Sequence, residues 1–359
     1  MALTINFMPV YAQAPAALAA LAALKADVDA AVRKAAAEGA RVVLPADEPE
    51  LCDAFEAAGV AVARADASFG YVYGNDTAVA RLFAGEKPIP SAVTGSASDA
   101  LVGGEAWLRG EGAPKLVYVN GATEPVELPA QVSVAELAKA AGVEDAKAVY
   151  LGFPQGDMVA ATGEGDVLLA SDAVRVFGAD CCMADELLRI CREYRHETCG
   201  HCVFGHEGSY QMATILEDVC HKRGKSGDLE LLQDLAPMME GQSLCEVGRV
   251  LAKTVRQTCA LFGDEISAHY ARKVCPAGAC DAYKTFHILV SRCTGCGDCL
   301  DACEDGAIMG KANFVHVIDQ RKCTQCGRCL DACGEGAVVK AGAKKPKTPP
   351  RPIPVRRKK

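Results

Sequence analysis

Cys293-Thr294-Gly295-Cys296-Gly297-Asp298-Cys299-Leu300-Asp301-Ala302-Cys303 is followed, thirty residues after its first cysteine, by Cys323-Thr324-Gln325-Cys326-Gly327-Arg328-Cys329-Leu330-Asp331-Ala332-Cys333. Each run has the spacing C-x2-C-x2-C-x3-C, the pattern that holds two iron–sulfur cubanes when the fourth cysteine of each run crosses to the other cluster. One [4Fe–4S] cluster is therefore predicted on Cys293, Cys296, Cys299 and Cys333, and a second on Cys323, Cys326, Cys329 and Cys303. Gly295, Gly297 and Gly327 suit tight turns whose backbone N–H groups point at the sulfurs. A zinc knuckle needs only four closely spaced ligands, and a disulfide framework suits a short exported chain better than this one. Glu304 and Gly334 stand where a proline commonly follows the fourth cysteine. That change should alter local geometry or potential more than ligation.

The 359 residues, half of them hydrophobic, are enough for two to four domains with real cores. Nineteen cysteines is far above ordinary usage. No N-terminal stretch joins a basic region, a long apolar run and a cleavage site, and no run of about 18 apolar residues could span a bilayer. A cytoplasmic protein without membrane insertion is expected, and in that setting so many cysteines read as metal ligands. The net charge is −8, but the segment after Gly342 carries eight basic residues and no acid, which leaves −16 on the body. That balance argues against nucleic acid. With five prolines, residues 343–359 read as an extended, disordered basic arm, either simply solvated or strapped onto an acidic partner subunit.

Along the chain, residues 15–39 show helical periodicity, Arg41 to Leu44 a short strand, Glu48 to Ala58 a second helix and Val60 to Val62 another strand. Gly70 to Val79 reads as strand–turn–helix. Lys115 to Asn120 and Val126 to Leu128 are strands, Val134 to Ala141 is a helix opened by Ser133 and closed by Gly142, and Val149 to Gly152 is a third strand. This order fits a small β-grasp-like domain or another compact α+β unit. Met183–Tyr194, Tyr210–Cys220, Leu229–Met239 and Leu244–Phe262 are amphipathic, which predicts a four-helix bundle. Cys52, Cys191, Cys220 and Cys259 fall on helical faces and read as core.

His196-Glu197-Thr198-Cys199-Gly200-His201-Cys202 resembles the H-E-S-C-G-x-C motif of the flavoprotein subunit of respiratory complex I and of its relatives in NAD-linked, multisubunit [FeFe] hydrogenases. Gly241-Gln242-Ser243-Leu244-Cys245 resembles that family's G-x-x-x-C. The resemblance covers roughly residues 68 to 340, and Cys275 to Cys280 with the two-cubane runs resemble the hydrogenase and bifurcating branch. It implies a multidomain α+β chain: a degenerate α/β flavin-domain remnant (1–110), a soluble-ligand-binding β-grasp domain (111–180), a helical iron–sulfur bundle (181–283), a two-cluster ferredoxin domain (284–342) and the tail (343–359). It also implies a third [4Fe–4S] cluster on Cys199, Cys202 and Cys245. The run's third cysteine is replaced by Gly205, so the fourth ligand is His206, the fourth iron is open or otherwise filled, or the site holds no cluster.

Gly70 to Val79 resembles the family's G-A-Y-x-x-G-E-E-T-A-L, but Asn75 and Asp76 replace the two glutamates and the upstream glycine-rich flavin loop is absent. Neither FMN nor NAD is expected to bind. Cys182, or Cys181 beside it, together with His269, Cys275 and Cys280 suits a structural zinc. The chain is then expected to do no chemistry of its own. It would relay single electrons between a flavin-bearing partner and another redox subunit, in a complex of hydrogenase, formate dehydrogenase or bifurcating transhydrogenase type. The alternative is an NAD(P)H-oxidising FMN flavoprotein with a divergent flavin site.

Overall fold

A computed structural model describes residues 2–9, 16–110, 112–162, 165–342 and 344–355. The chain divides into two compact units: Met1–Ala179 with Glu186–Leu216 and Gly227–Gly263, and Asp180–Asp185 with Glu217–Ser226 and Asp264–Lys359. Among the described residues, no helix is long and apolar enough to cross a membrane.

The first unit opens with β1 (Leu3–Asn6), α1 (Ala16–Ala26), α2 (Val28–Ala37), β2 (Arg41–Pro45), α3 (Pro49–Ala57), β3 (Val62–Ala65), α4 (Asp76–Phe83), β4 (Ala100–Gly103) and α5 (Gly104–Arg109). Its strands pair in parallel in the order β3-β2-β1-β4. Val42, Val43 and Leu44 of the interior strand β2 are all fully buried, because a strand covered on both faces must be apolar throughout. The single helix expected over 15–39 is two. Asp27 interrupts it and caps α2 by accepting from the Ala30 N–H at 3.0 Å; residue 15 lies outside the described residues.

The strand expected at Gly70 does not form. Ala67–Gly74 is a run of 3-10 turn, because Asp66 caps it through the Ser68 N–H and the Tyr73 hydroxyl donates back to the Asp66 carbonyl at 2.7 Å. Gly70 takes a φ of 61°, and a Cβ there would lie 2.8 Å from Glu197 Oε2. Asn75 caps α4 through the Ala78 N–H, and buried Asp76 accepts from the N–H groups of Gly95 and Ala97 at 2.8 and 3.0 Å. Both residues thus hold the loop after α4 in place.

Next come β5 (Lys115–Val119), β6 (Val126–Leu128), β7 (Gln131–Ser133), α6 (Val134–Ala140), β8 (Ala146–Leu151), β9 (Asp157–Ala160), β10 (Asp166–Leu168) and β11 (Ala173–Gly178). Five of them form a sheet in the order β6-β5-β11-β8-β9, with β11 parallel to β5 and antiparallel to β8, while β7 pairs with β10. Ser133 opens α6 in a reciprocal capping box with Glu136, and Leu137 packs into the core with Val117, Val149 and Val174.

Four helices follow: α7 (Met183–Glu197), α8 (Val203–Cys220), α9 (Asp228–Gln242) and α10 (Glu246–Ala271). Each runs past the apolar repeat that predicts it, and α10 continues through a bend at Phe262 to carry His269. Within the first unit the sheets clamp α7 and α10. Tyr150 and Tyr194 share a hydroxyl hydrogen bond of 2.9 Å, and Arg175 donates to Glu193 at 2.6 Å. Thr254 Oγ1 donates to the Gly156 carbonyl at 2.7 Å, and Gln257 accepts from the Met158 N–H at 2.9 Å. The Glu246 carboxylate accepts from Asn75 and from the Thr94 N–H. Gly156, at φ 66°, lies so close to α10 that a Cβ would fall 2.2 Å from Val250 Cγ1. Gly156→Ala combines left-handed strain with overpacking, so a loss of about 2–4 kcal/mol is expected as a lowered denaturant midpoint.

The second unit holds β12 (Thr285–Ile288), α11 (Asp298–Asp301), β13 (Ile308–Met309), β14 (Phe314–Val315), β15 (Val317–Ile318), α12 (Arg328–Asp331), β16 (Val338–Ala341) and β17 (Ile353–Pro354). This unit includes segments on both sides of residue 283, and within it the Tyr283 hydroxyl donates to the Val219 carbonyl at 2.5 Å. The tail also differs from a free arm. Ile353 and Pro354 pair antiparallel with Val315 and Phe314, the Val355 N–H donates to the Asn313 carbonyl at 3.0 Å, and Val355 packs on the cysteine-lined core. Ile353, Pro354 and Val355 give the charged segment something to bury; residues 356–359 lie outside the described residues.

Candidate metal centres

Both cysteine runs turn into a short helix, α11 and α12, through a left-handed glycine at Gly297 and Gly327. Gly295 has a φ of 75°, and a Cβ there would meet the Phe314 backbone at 2.7 Å; Gln325 takes the same left-handed position in the second run. Burial pushes the Cys299 thiol up to about 12, helped by the charges of Cys293, Cys333 and Cys296. Burial likewise pushes Cys329 up to about 11, helped by Cys323, Cys326 and Cys303. The fold thus brings Cys333 beside the first run and Cys303 beside the second. Ala307 N–H donates to Cys303 Sγ and Ala337 N–H to Cys333 Sγ, both at 3.3 Å. Clustered thiols with backbone donors aimed at sulfur are the donor set that [4Fe–4S] clusters require. Cys293, Cys299 and Cys329 also pack with Phe286, Ile288, Ile308 and Ile318, so these thiols are part of the hydrophobic core. Glu304, in the place of proline, forms an ion pair with Arg328.

Cys199 and Cys202 lie between α7 and α8, and Cys245 directly precedes α10. The three line one hollow, together with Gly205, His201 and His206. Burial, together with the charges of Cys199 and Cys202, raises the Cys245 thiol to about 12, although a bond from the Val247 N–H opposes it. Gly205 is in the first turn of α8, and a Cβ there would sit 2.8 Å from Cys202 Sγ, so the position has room for glycine while Cys202 keeps its place. His206 stays at the surface, with Nδ1 3.4 Å from Thr198 Oγ1. His201 is a second imidazole at this hollow that sequence spacing did not single out.

Cys182, His269, Cys275 and Cys280 are all buried and place one ligand atom each within 4.8 Å of one another. Sγ of Cys182 is 3.4 Å and Sγ of Cys280 is 3.6 Å from His269 Nε2, and the two sulfurs are 3.5 Å apart. A tetrahedral ion with bonds of about 2.3 Å to sulfur and about 2.0 Å to nitrogen sets S···S edges of about 3.8 Å and S···N edges of about 3.5 Å. His269 Nδ1 donates to the Glu265 carbonyl at 2.9 Å, which leaves the Nε2 lone pair facing the sulfurs. Hydrogen bonds from Cys182 and Cys280 pull the Cys275 thiol far down, while Cys182 is driven up by the same contacts and by burial. Cys181 faces Asp180 instead, so Cys182 is the member of the pair that joins the set. Cys52, Cys191 and Cys259 are buried, and so is Cys220, whose thiol also stands within 4.8 Å of Cys280 and Asp185.

In the first unit a cavity of about 520 Å³ lies between the Ala67–Gly70 turn, Lys87 and the His196–Cys199 segment.

Residues 185–269 match the NADH-ubiquinone oxidoreductase-F iron-sulfur binding region, and residues 292–341 match the 4Fe-4S dicluster domain. The NADP-reducing hydrogenase subunit HndC of Solidesulfovibrio fructosivorans is 30% identical over 149 residues, 42% of this chain and 30% of that protein. The F 2 subunit of NADH-quinone oxidoreductase of Rhizobium meliloti (strain 1021) is 29% identical over 197 residues, 48% of this chain and 47% of that protein. Among solved structures, an NAD+-reducing [NiFe]-hydrogenase in the air-oxidized state aligns with a TM-score of 0.51 at 23% identity, over 64% of this chain and 49% of that one. The chain spans less than half the length of these relatives, and the likeness to the solved structure is one of fold. It carries 4Fe–4S binding domains and is related to the F subunits of NADH-quinone oxidoreductase and to hydrogenase subunits.

Proposed function

We propose that this chain, whose residues 185–269 match the iron–sulfur binding region of the NADH-ubiquinone oxidoreductase-F family, is an electron-relay component of a multisubunit cytoplasmic oxidoreductase. It passes single electrons between a flavin-bearing partner and another redox subunit. The observation that supports this reading is that thiols of both runs pack into one core, with Cys303 of the first run lining one hollow with Cys323, Cys326 and Cys329 of the second. In this reading Cys293, Cys296, Cys299 and Cys333 hold one cluster and Cys323, Cys326, Cys329 and Cys303 the other. Cys199, Cys202 and Cys245 hold a third, with His206 or an external group completing it. Each cluster, when bound, supplies a one-electron acceptor and donor. The protein's part is to supply thiolates, aim N–H groups at sulfur and exclude water.

Residues 111–180 fit a β-grasp domain, since two hairpins flank a central strand, β11, that runs parallel to β5, and α6 packs on the sheet. The buried His269 and three cysteines fit a structural zinc. Residues 1–110 fit a flavin-domain remnant in which Asn75 and Asp76 serve the loop after α4 rather than a cofactor. The basic residues before Ile353 remain available to an acidic partner subunit. The cavity beside Cys199 favours the second reading, a flavoprotein with a divergent FMN site.

Anaerobically prepared protein is expected to hold about eight irons in the ferredoxin module and up to about four more at the Cys199 site. Acid treatment should release no flavin. A stoichiometric flavin would replace the relay reading with the flavoprotein one, and protein that binds no iron would end both.

A further inference from the structure

His316 sits between β14 and β15 and is 1% exposed. Its Nδ1 lies 3.3 Å from Cys299 Sγ, and its Nε2 is buried with no hydrogen-bond partner among the described residues. The ring occupies a slot that the chain keeps open for it: a Cβ on Gly310 would fall 1.7 Å from His316 Cδ2 and 2.6 Å from Nε2. Nothing larger than glycine at 310 tolerates the imidazole where it is.

The chemistry of the pair follows from what each atom can do. On the reading that Cys299 is a cluster ligand, its sulfur carries no proton and can only accept. Nδ1 must then carry the hydrogen, which leaves Nε2 a bare lone pair in the interior. A buried acceptor without a donor is unfavourable, and native folds keep few of them. This one persists because fixing the tautomer places an N–H donor on a buried sulfur, where no water screens it. A donor to sulfur favours the reduced cluster, which is one charge more negative, and so raises its potential.

The other bonds to sulfur differ in kind. Ala307 N–H on Cys303 and Ala337 N–H on Cys333 are backbone donors repeated in both halves of the module. Beside Cys326 the side-chain donors are Arg328 and Thr324, both exposed, and Arg328 is shared with Glu304. His316 is therefore a buried donor that acts on one quartet.

We propose that His316 is a positioning residue that donates Nδ1–H to the Cys299 sulfur and sets the potential of the cluster held by Cys293, Cys296, Cys299 and Cys333 above the value its thiolates alone would give.

The test uses the full chain, loaded with iron, in three forms: unaltered, His316→Leu and His316→Asn. Redox-titrated EPR of His316→Leu with full iron should show one of the two ferredoxin midpoints lowered, with the reduction equilibrium shifted about ten-fold, equivalent to about 59 mV for one electron. The other midpoint should not move. His316→Asn can present an N–H at the δ position and should recover most of the shift, which mere filling of the slot would not do. Unaltered protein carrying 15N-histidine should show a weak nitrogen coupling to one reduced cluster in pulsed EPR, a readout that stands even if His316→Leu fails to load. Unchanged midpoints in a fully loaded leucine variant would overturn the proposal. So would the absence of nitrogen coupling, or a coupling as strong as that of a direct ligand. Unaltered protein that lacks two cubane signals would instead overturn the cluster reading on which the proposal rests.

Discussion

Cys333→Ala is expected to remove about four irons, and the EPR signal it abolishes should be the one that Cys299→Ala abolishes. The signal that depends on Cys329 should survive. Cys333 belongs by sequence to the second run, yet in the folded chain it lies near Cys299, as do Cys293, Cys296 and Cys329. Cys303 stands in the same relation to Cys329. The effect on stability should be large, because Cys293, Cys299 and Cys329 are themselves part of the module's core and its strands are two to four residues long. A segment that small buries too little apolar surface to fold without metal. Loss of one quartet should therefore expose the module to proteolysis. If Cys333→Ala removed the signal that also depends on Cys329, each run would fill its own cluster and the crossed assignment would fail.

His269→Ala should abolish a single bound zinc per chain and destabilise the second unit by more than about 5 kcal/mol, since structural zinc contributes about 10–16 kcal/mol to the folding of small zinc domains. Four buried ligand atoms converge with separations that a tetrahedral ion would set, and the Glu265 carbonyl orients the imidazole for binding through Nε2. Zinc requires deprotonated thiols, so retention should fall as pH is lowered. Hydrogen bonds from Cys182 and Cys280 lower the Cys275 thiol, the direction that favours binding a metal ion. Metal analysis and thermal melting of the two proteins check this. A variant that melts with the unaltered protein, or an unaltered protein that carries iron rather than zinc at this site, would end the zinc reading.

What the sequence by itself determined is what depends on short-range spacing. The intervals within Cys293–Cys303 and Cys323–Cys333 place three thiols on one turn whatever surrounds them, and the left-handed glycines at 297 and 327 are where the turns need them. The 3.6-residue repeat marked the four helices, and the serine and glycine at 133 and 142 marked the ends of α6. The strands β1, β4, β10 and β11 were not legible, because their pairing partners lie far away in the sequence, and β9 is a short partner of β8. Gly70 to Tyr73 reads as a strand by composition, but a capping aspartate and a tyrosine hydroxyl curl it into a turn. The tertiary structure decided what the grouping of thiols along the chain left open. Cys182 meets His269 across 87 residues and Cys220 comes within reach of Cys280, while Cys181, one residue away, points elsewhere. His316 reaches Cys299 from a separate loop, through a gap that only a glycine at 310 leaves open. Such contacts depend on the close packing of segments distant in sequence, and no periodicity or spacing along the chain encodes them.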